Sequence, residues 1–83
     1  MKVLYFAWLR ERLDRDSDEI ELPESVSTVA DLMDFLAAGD EGVALATEKR
    51  ALIRAAVDEE LVDHSASVRG ARTVALFPPM TGG

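Results

Sequence analysis

The sequence closes on Phe77-Pro78-Pro79-Met80-Thr81-Gly82-Gly83, residue types that suit one kind of chemistry: a carboxylate carried at the end of a thin arm. Pro78 and Pro79 lack an amide hydrogen and hold φ near about −65°, so a strand running into them stops and continues as a stiff, extended segment. Gly82 and Gly83 have no Cβ, so the end of the arm fits a channel too narrow for side chains and takes whatever φ that channel requires. The ordinary alternative is a terminus without a role, because chain ends are often disordered. Stiffness beside the fold followed by slenderness at the carboxylate is what presentation to another protein's active site needs, and it favours the functional reading.

Other groups offer little chemistry. Asp63, His64, Ser65 and Ser67 hold the residue types of a nucleophile, a base and an orienter, but neighbours on one loop rarely assemble into a triad, and nothing signals an oxyanion hole. A solvated loop histidine is the expectation. With one histidine and no cysteine, no metal site is expected, and neither is a disulfide or a thiol nucleophile. Asp58, Glu59 and Glu60 are adjacent on a predicted turn and read as surface. No glycine-rich phosphate loop is present; Gly39 and Gly42 bracket Asp40-Glu41, whose charge repels phosphate, so this chain is not expected to bind ATP or another cofactor by itself.

Nine basic residues against sixteen acidic ones give a net charge of −7. That balance argues against nucleic acid or an anionic membrane as partner, and leaves open whether the acidic surface serves solubility or steering toward a basic partner. The apolar start is preceded by no basic region and followed by no small-residue cleavage site, so neither a signal peptide nor a membrane span is expected, and a cytoplasmic location is. Eighty-three residues suit one domain.

The elements that must position the arm follow from periodicity. Lys2-Val3-Leu4-Tyr5-Phe6-Ala7-Trp8 is too uniformly apolar for a half-exposed strand and reads as a central one. Leu9 to Asp14 reads as one or two helical turns, Asp14 to Asp18 as a polar turn, and Glu19-Ile20-Glu21-Leu22 as an alternating strand that Pro23 ends. Val29, Leu32, Met33 and Leu36 recur at i, i+3, i+4 and i+7, with Thr28 and Asp31 as a capping box and Gly39 placed for a left-handed C-cap, so the main helix lies here. Asp40 to Arg50 is a connection with a short turn around Val43-Ala44-Leu45-Ala46. Leu52 to Val57 and Glu60 to Val62 read as two short strands around Asp58-Glu59, although that turn lacks the glycine or asparagine a tight hairpin favours. A loop from Asp63 to Arg72 precedes the final strand, Thr73 to Phe77, which delivers the chain to the prolines. The order fits an α+β roll: a mixed sheet of about five short strands packed on one main helix, with the first and last strands parallel at its centre.

Two blocks of this sequence resemble the small, sulfur-carrying subunit family of molybdopterin synthase, whose members are ubiquitin-like β-grasp proteins. Val3-Leu4-Tyr5-Phe6-Ala7-Trp8-Leu9-Arg10-Glu11 is similar to the family's opening strand, alanine and Arg-Glu pair. Ala75-Leu76-Phe77-Pro78-Pro79-Met80-Thr81-Gly82-Gly83 is similar to its closing strand, double proline and diglycine; related thiamine carriers share the diglycine but generally not Phe-Pro-Pro. Three positions depart from the pattern. Arg69-Gly70-Ala71-Arg72 stands where an acidic turn is common, Leu76 replaces an aromatic residue, and Asp58 replaces the hairpin asparagine.

The resemblance implies a β-grasp domain over residues 1–77 and an extended tail over residues 78–83. It implies a carrier and not an enzyme, with the catalytic pocket on the large synthase subunit. An E1-like adenylating enzyme, using ATP and a sulfur donor, would convert the Gly83 carboxylate to an acyl-adenylate and then a thiocarboxylate. The terminal sulfur would then attack cyclic pyranopterin monophosphate inside a heterotetramer with the large subunit. By the same resemblance, Phe6, Leu61 and Phe77 face the partner, while Pro78, Pro79, Met80, Thr81 and Gly82 enter it; ordinary core is the alternative for the three apolar side chains. Ordering a free tail costs roughly 1–2 kcal/mol per residue, so threading about four residues costs several, which contacts of the body must offset. A ubiquitin-like modifier or a thiamine-type carrier would use the same diglycine.

Overall fold

The computed structural model describes residues 1–79. Its elements are β1 (Lys2–Tyr5), α1 (Trp8–Leu13), β2 (Ser17–Glu19), α2 (Val29–Gly39), α3 (Glu41–Ala46), a 3₁₀ turn (Arg50–Leu52), β3 (Arg54–Val57), β4 (Glu60–Val62) and β5 (Thr73–Phe77). The five strands form one mixed sheet in the order β2-β1-β5-β3-β4. As expected, the first and last strands are parallel neighbours at its centre, with Val3 opposite Val74 and Tyr5 opposite Leu76. The long crossover that a parallel pair requires is supplied by everything between them.

The main helix forms where its apolar period places it. Val29, Leu32, Met33 and Leu36 are all buried, and with Val3, Tyr5, Leu9, Val74 and Leu76 they make the core. The capping box is present in full: Thr28 Oγ1 accepts from the Asp31 amide at 3.1 Å, and the Asp31 carboxylate accepts from the Thr28 amide at 3.2 Å and the Ser27 amide at 3.0 Å. Those backbone donors hold the Asp31 carboxyl below the usual carboxylate range.

Several boundaries differ from the sequence expectation, each for a local reason. The first strand stops at Tyr5 because Ala7 takes φ 53°, which turns the chain into α1. The second strand is Ser17–Glu19, not Glu19 to Leu22: Asp14, in the left-handed region, reverses the chain early, and pairing with β1 begins with Ser17 opposite Leu4. Ile20 remains tied to the sheet through reciprocal backbone bonds with Met1 of 2.9 and 3.0 Å. Gly39 is not a left-handed C-cap; α2 runs through it and ends at an extended Asp40. Asp40 stops the helix by starting the next one, its carboxylate accepting from the Gly42 amide at 2.8 Å and the Val43 amide at 3.4 Å. The turn expected around Val43 is therefore the helix α3. The third strand begins at Arg54, because Arg50–Leu52 closes into the 3₁₀ turn.

The 63–72 loop is more than surface. Its Ala66 carbonyl accepts from the Val29 amide at 3.0 Å, its Val68 amide donates to Ser27 at 2.8 Å, and the Val68 side chain is fully buried. The loop thus fastens the start of α2 to the sheet edge.

Candidate functional site

Strand alternation assigns the two faces of the sheet. Val3, Tyr5, Ala55, Val74 and Leu76 are buried on the core side. Their neighbours Leu4, Phe6, Ala56, Ala75 and Phe77 therefore take the opposite face. The strand registers align them into rows. Leu4 lies opposite Ala75, Ala75 opposite Ala56, and Ala56 opposite Leu61, so one apolar row crosses four strands. Ser17, opposite Leu4, ends that row on β2.

The second row lies where the tail leaves the sheet. The Phe6 amide donates to the Leu76 carbonyl at 3.2 Å, which continues the β1–β5 ladder by one residue and sets Phe6 beside Phe77. Since β1 and β5 run the same way, both aromatic residues leave the sheet at one end, at the root of Pro78-Pro79. The structure thus brings Phe6 and Phe77 together and puts Leu61 on the same face, two strands from Ala75, or about 10 Å. Phe6 is 45% exposed and Leu61 64% exposed, so neither is core, while Phe77, Pro78 and Pro79 are half-buried. Phe6, Phe77 and Leu61 thus gather on one face as large apolar side chains that the core does not use. The remaining expected site residues, Met80, Thr81, Gly82 and Gly83, lie outside the described residues.

The hairpin that carries Leu61 is held by an unusual turn. Asp58 and Glu59 have φ of 47° and 72°, a region that favours glycine or asparagine. The cost is offset by the Asp58 carboxylate, which accepts from the Arg72 amide at 2.9 Å and the Thr73 amide at 3.0 Å. Those two donors hold its carboxyl below the ordinary range.

His64 corrects the expectation of a solvated side chain: it is half-buried, and its Nε2 bonds the Ile53 carbonyl at 2.7 Å. The Asp63 carboxylate accepts from the Ser65 amide at 2.9 Å and from the Ser65 hydroxyl. Each of these groups thus holds the loop in shape, and their bonds do not form a nucleophile-base-orienter chain.

Two features lie outside the sequence expectations, the first with no signal and the second with one. The Tyr5 hydroxyl donates to Asp18 at 2.8 Å, and Arg15 bridges Asp18 and Asp40 at 2.9 and 2.8 Å, tying β1, β2 and the α2–α3 junction together. Arg15 and Asp40 are distant in sequence and belong to no motif. Arg54 shares the apolar face with Phe77, its partner in register. Alternation with Ala56 would have placed it there.

Comparison with known proteins follows the same lines. Residues 3–83 match the ThiS family. The molybdopterin synthase sulfur carrier subunit of Escherichia coli (strain K12) is 39% identical over 83 residues, covering 100% of this chain and 99% of that protein. The protein of the same name from Haemophilus influenzae is 34% identical over the same span. A putative molybdopterin converting factor, subunit 1, from Pyrococcus furiosus superposes with a TM-score of 0.73 at 28% identity, covering 95% of each chain. SAMP1 of Haloferax volcanii superposes with a TM-score of 0.71 at 24% identity, over 99% of this chain and 97% of that one, a likeness of fold alone. The resemblance read from the two sequence blocks is borne out, as is the ubiquitin-like β-grasp fold.

Proposed function

The chain belongs to the ThiS family, and from that premise we propose that it is a sulfur carrier for molybdopterin synthesis, with the Gly83 carboxylate as its reacting group. The observation that carries this reading is the full-length identity of 39% to a molybdopterin synthase sulfur carrier subunit. The apolar face at the root of the tail supports it, because a threaded tail needs a docked body to offset its ordering cost.

A carboxylate resists nucleophilic substitution until it is given a leaving group. In the proposed sequence an E1-like enzyme brings ATP, and the Gly83 carboxylate attacks the α-phosphate, releasing pyrophosphate and forming an acyl-adenylate. Hydrosulfide released by a sulfur donor then attacks the acyl carbon, the bond to AMP breaks, a proton is lost, and a thiocarboxylate remains. Its sulfur is the nucleophile delivered to cyclic pyranopterin monophosphate. This chain supplies the reagent and its delivery. The large synthase subunit supplies the pocket, in a cytoplasmic heterotetramer, with Phe6, Leu61 and Phe77 against it and residues 78–83 inside it. Neither ATP nor another cofactor rests on this chain. The likeness to SAMP1, at 24% identity, adds nothing toward a protein-modifying role.

Intact mass spectrometry after incubation with the activating enzyme, ATP and a sulfur source tests the proposal. The expected result is a gain equal to the exchange of one oxygen for one sulfur, absent when Gly83 is deleted. An unchanged mass under conditions that load a known carrier refutes it.

A further inference from the structure

Arg54 opens β3 directly opposite Phe77. Ala55 beside it is fully buried, so Arg54 lies on the other face, in the row that holds Phe6 and Phe77. It is exposed, and at the start of its strand it also borders a cleft of about 250 Å³ with Arg50, Asp63 and His64, on the side of the sheet that Val62 shares with Ala55. The polar groups around it already have partners. Arg50 pairs with Asp34 at 2.7 Å, Asp63 accepts from Ser65, and His64 bonds the Ile53 carbonyl. Arg54 is different: among the described residues its guanidinium has no ion pair and no hydrogen bond.

An unpaired cation in the row at the root of the tail, with the other cation of this face, Lys2, two rows away at the far end of β1, sets a condition on whatever covers it. Desolvating an unpaired guanidinium is costly, whereas a carboxylate placed against its planar fork returns two charge-assisted hydrogen bonds. The chain as a whole is acidic, with a net charge of −7, so a partner carboxylate is repelled by most of its surface and accepted at this position. The arrangement therefore selects orientation as well as identity. We propose that the protein docking on this face presents an aspartate or glutamate carboxylate to Arg54, and that this pair sets the register in which the tail enters its partner. The inference rests on the sheet face being the docking surface.

The test is titration calorimetry of the full chain against its large-subunit partner, at low and high salt, with melting curves as a folding control. Arg54→Glu is expected to weaken binding by about 30-fold or more, and Arg54→Lys far less. Affinity of the unaltered chain should fall more steeply with salt than that of Arg54→Ala. Binding by Arg54→Glu within about twofold of the unaltered chain overturns the inference, since a buried pair of this kind cannot be reversed without loss. Phe77→Ala separates the two levels. If it weakens binding and Arg54→Glu does not, only the role of Arg54 falls; if neither does, the docking face falls with it.

Discussion

Asp58 and Thr73 hold each other twice: the Asp58 amide donates to the Thr73 carbonyl at 2.9 Å, and the Thr73 amide donates to the Asp58 carboxylate at 3.0 Å. One residue is the left-handed corner of the β3–β4 hairpin and the other starts β5, the strand that ends in the tail. The hairpin carrying Leu61 and the strand carrying Phe77 are thereby fixed to one another.

Replacing Asp58 separates its two contributions. Asp58→Asn keeps tolerance of positive φ and an acceptor, so it should lower the Tm slightly; Asp58→Ala removes the acceptor for two amides and should lower it more. Because the folded-state pKa lies below the unfolded one, the charged carboxylate's contribution is full above the unfolded value, about 3.9, and is lost as pH falls through the folded value. Melting curves between neutral and strongly acid pH should show a smaller acid loss for Asp58→Asn. Equal acid losses would deny the carboxylate this role.

Much of this fold was legible because it follows from periodicity and capping. Val29, Leu32, Met33 and Leu36 declared a buried helix face, Thr28 and Asp31 its start, and the apolar terminal runs a central parallel pair. The exposed aromatic at Phe6 and the exposed Leu61 came from the resemblance, because apolar residue type alone does not separate interface from core. What the sequence concealed depends on distant partners. Gly39 looked like a helix stop, but Asp40, capping α3 and paired with Arg15, decides where the helix ends. His64 looked solvated because nothing local announces the Ile53 carbonyl that holds it.

Ala7 carries strain that glycine would relieve. Its φ of 53° and ψ of −132° lie where L-residues rarely go, and they shape the turn closed by the Leu9 amide on the Phe6 carbonyl at 3.2 Å. Strain of this kind costs about 1–2 kcal/mol, against about 0.5–1 kcal/mol for the greater chain entropy glycine loses on folding. Ala7→Gly should therefore raise stability by about 0.5–1 kcal/mol, read from the urea midpoint with an unchanged m-value. A lower midpoint would mean that the turn is not strained as described.

Tyr5 offers a spectroscopic test of the half-buried network, since it is the only tyrosine. Burial, and then its bond to Asp18, pushes the phenol well above its ordinary range. With the folded pKa raised, the stabilisation is full below the unfolded value near about 10 and is lost as pH climbs through the folded one. Near-ultraviolet titration should show no phenolate until the ordinary range is passed, and Tyr5→Phe should cost about 1 kcal/mol in the hydrogen bond it removes. Phenolate appearing at the model-peptide value would place Tyr5 in solvent.

Docking and chemistry should separate by mutation, because the proposed function assigns them to different residues. Leu61 is 64% exposed, so Leu61→Asp removes little packing and should change folding stability by no more than about 0.5 kcal/mol. On the docking face the same change desolvates a charge against apolar surface, and it should weaken binding to the large subunit by about 2 kcal/mol or more, roughly 30-fold. Phe77→Ala should act in the same direction with some loss of stability, because Phe77 is half-buried and pairs with Arg54 across the β3–β5 ladder. Deleting Gly83 should do the reverse: Phe6, Leu61 and Phe77 stay in place, so melting behaviour and most of the affinity persist while sulfur transfer is lost. The measurements are a binding isotherm and a single-turnover transfer assay on each variant. Transfer at the unaltered rate by the Gly83 deletion would end the carrier reading. Unaltered binding by Leu61→Asp and Phe77→Ala together would instead remove the sheet face from the interface and leave the chemistry of Gly83 standing.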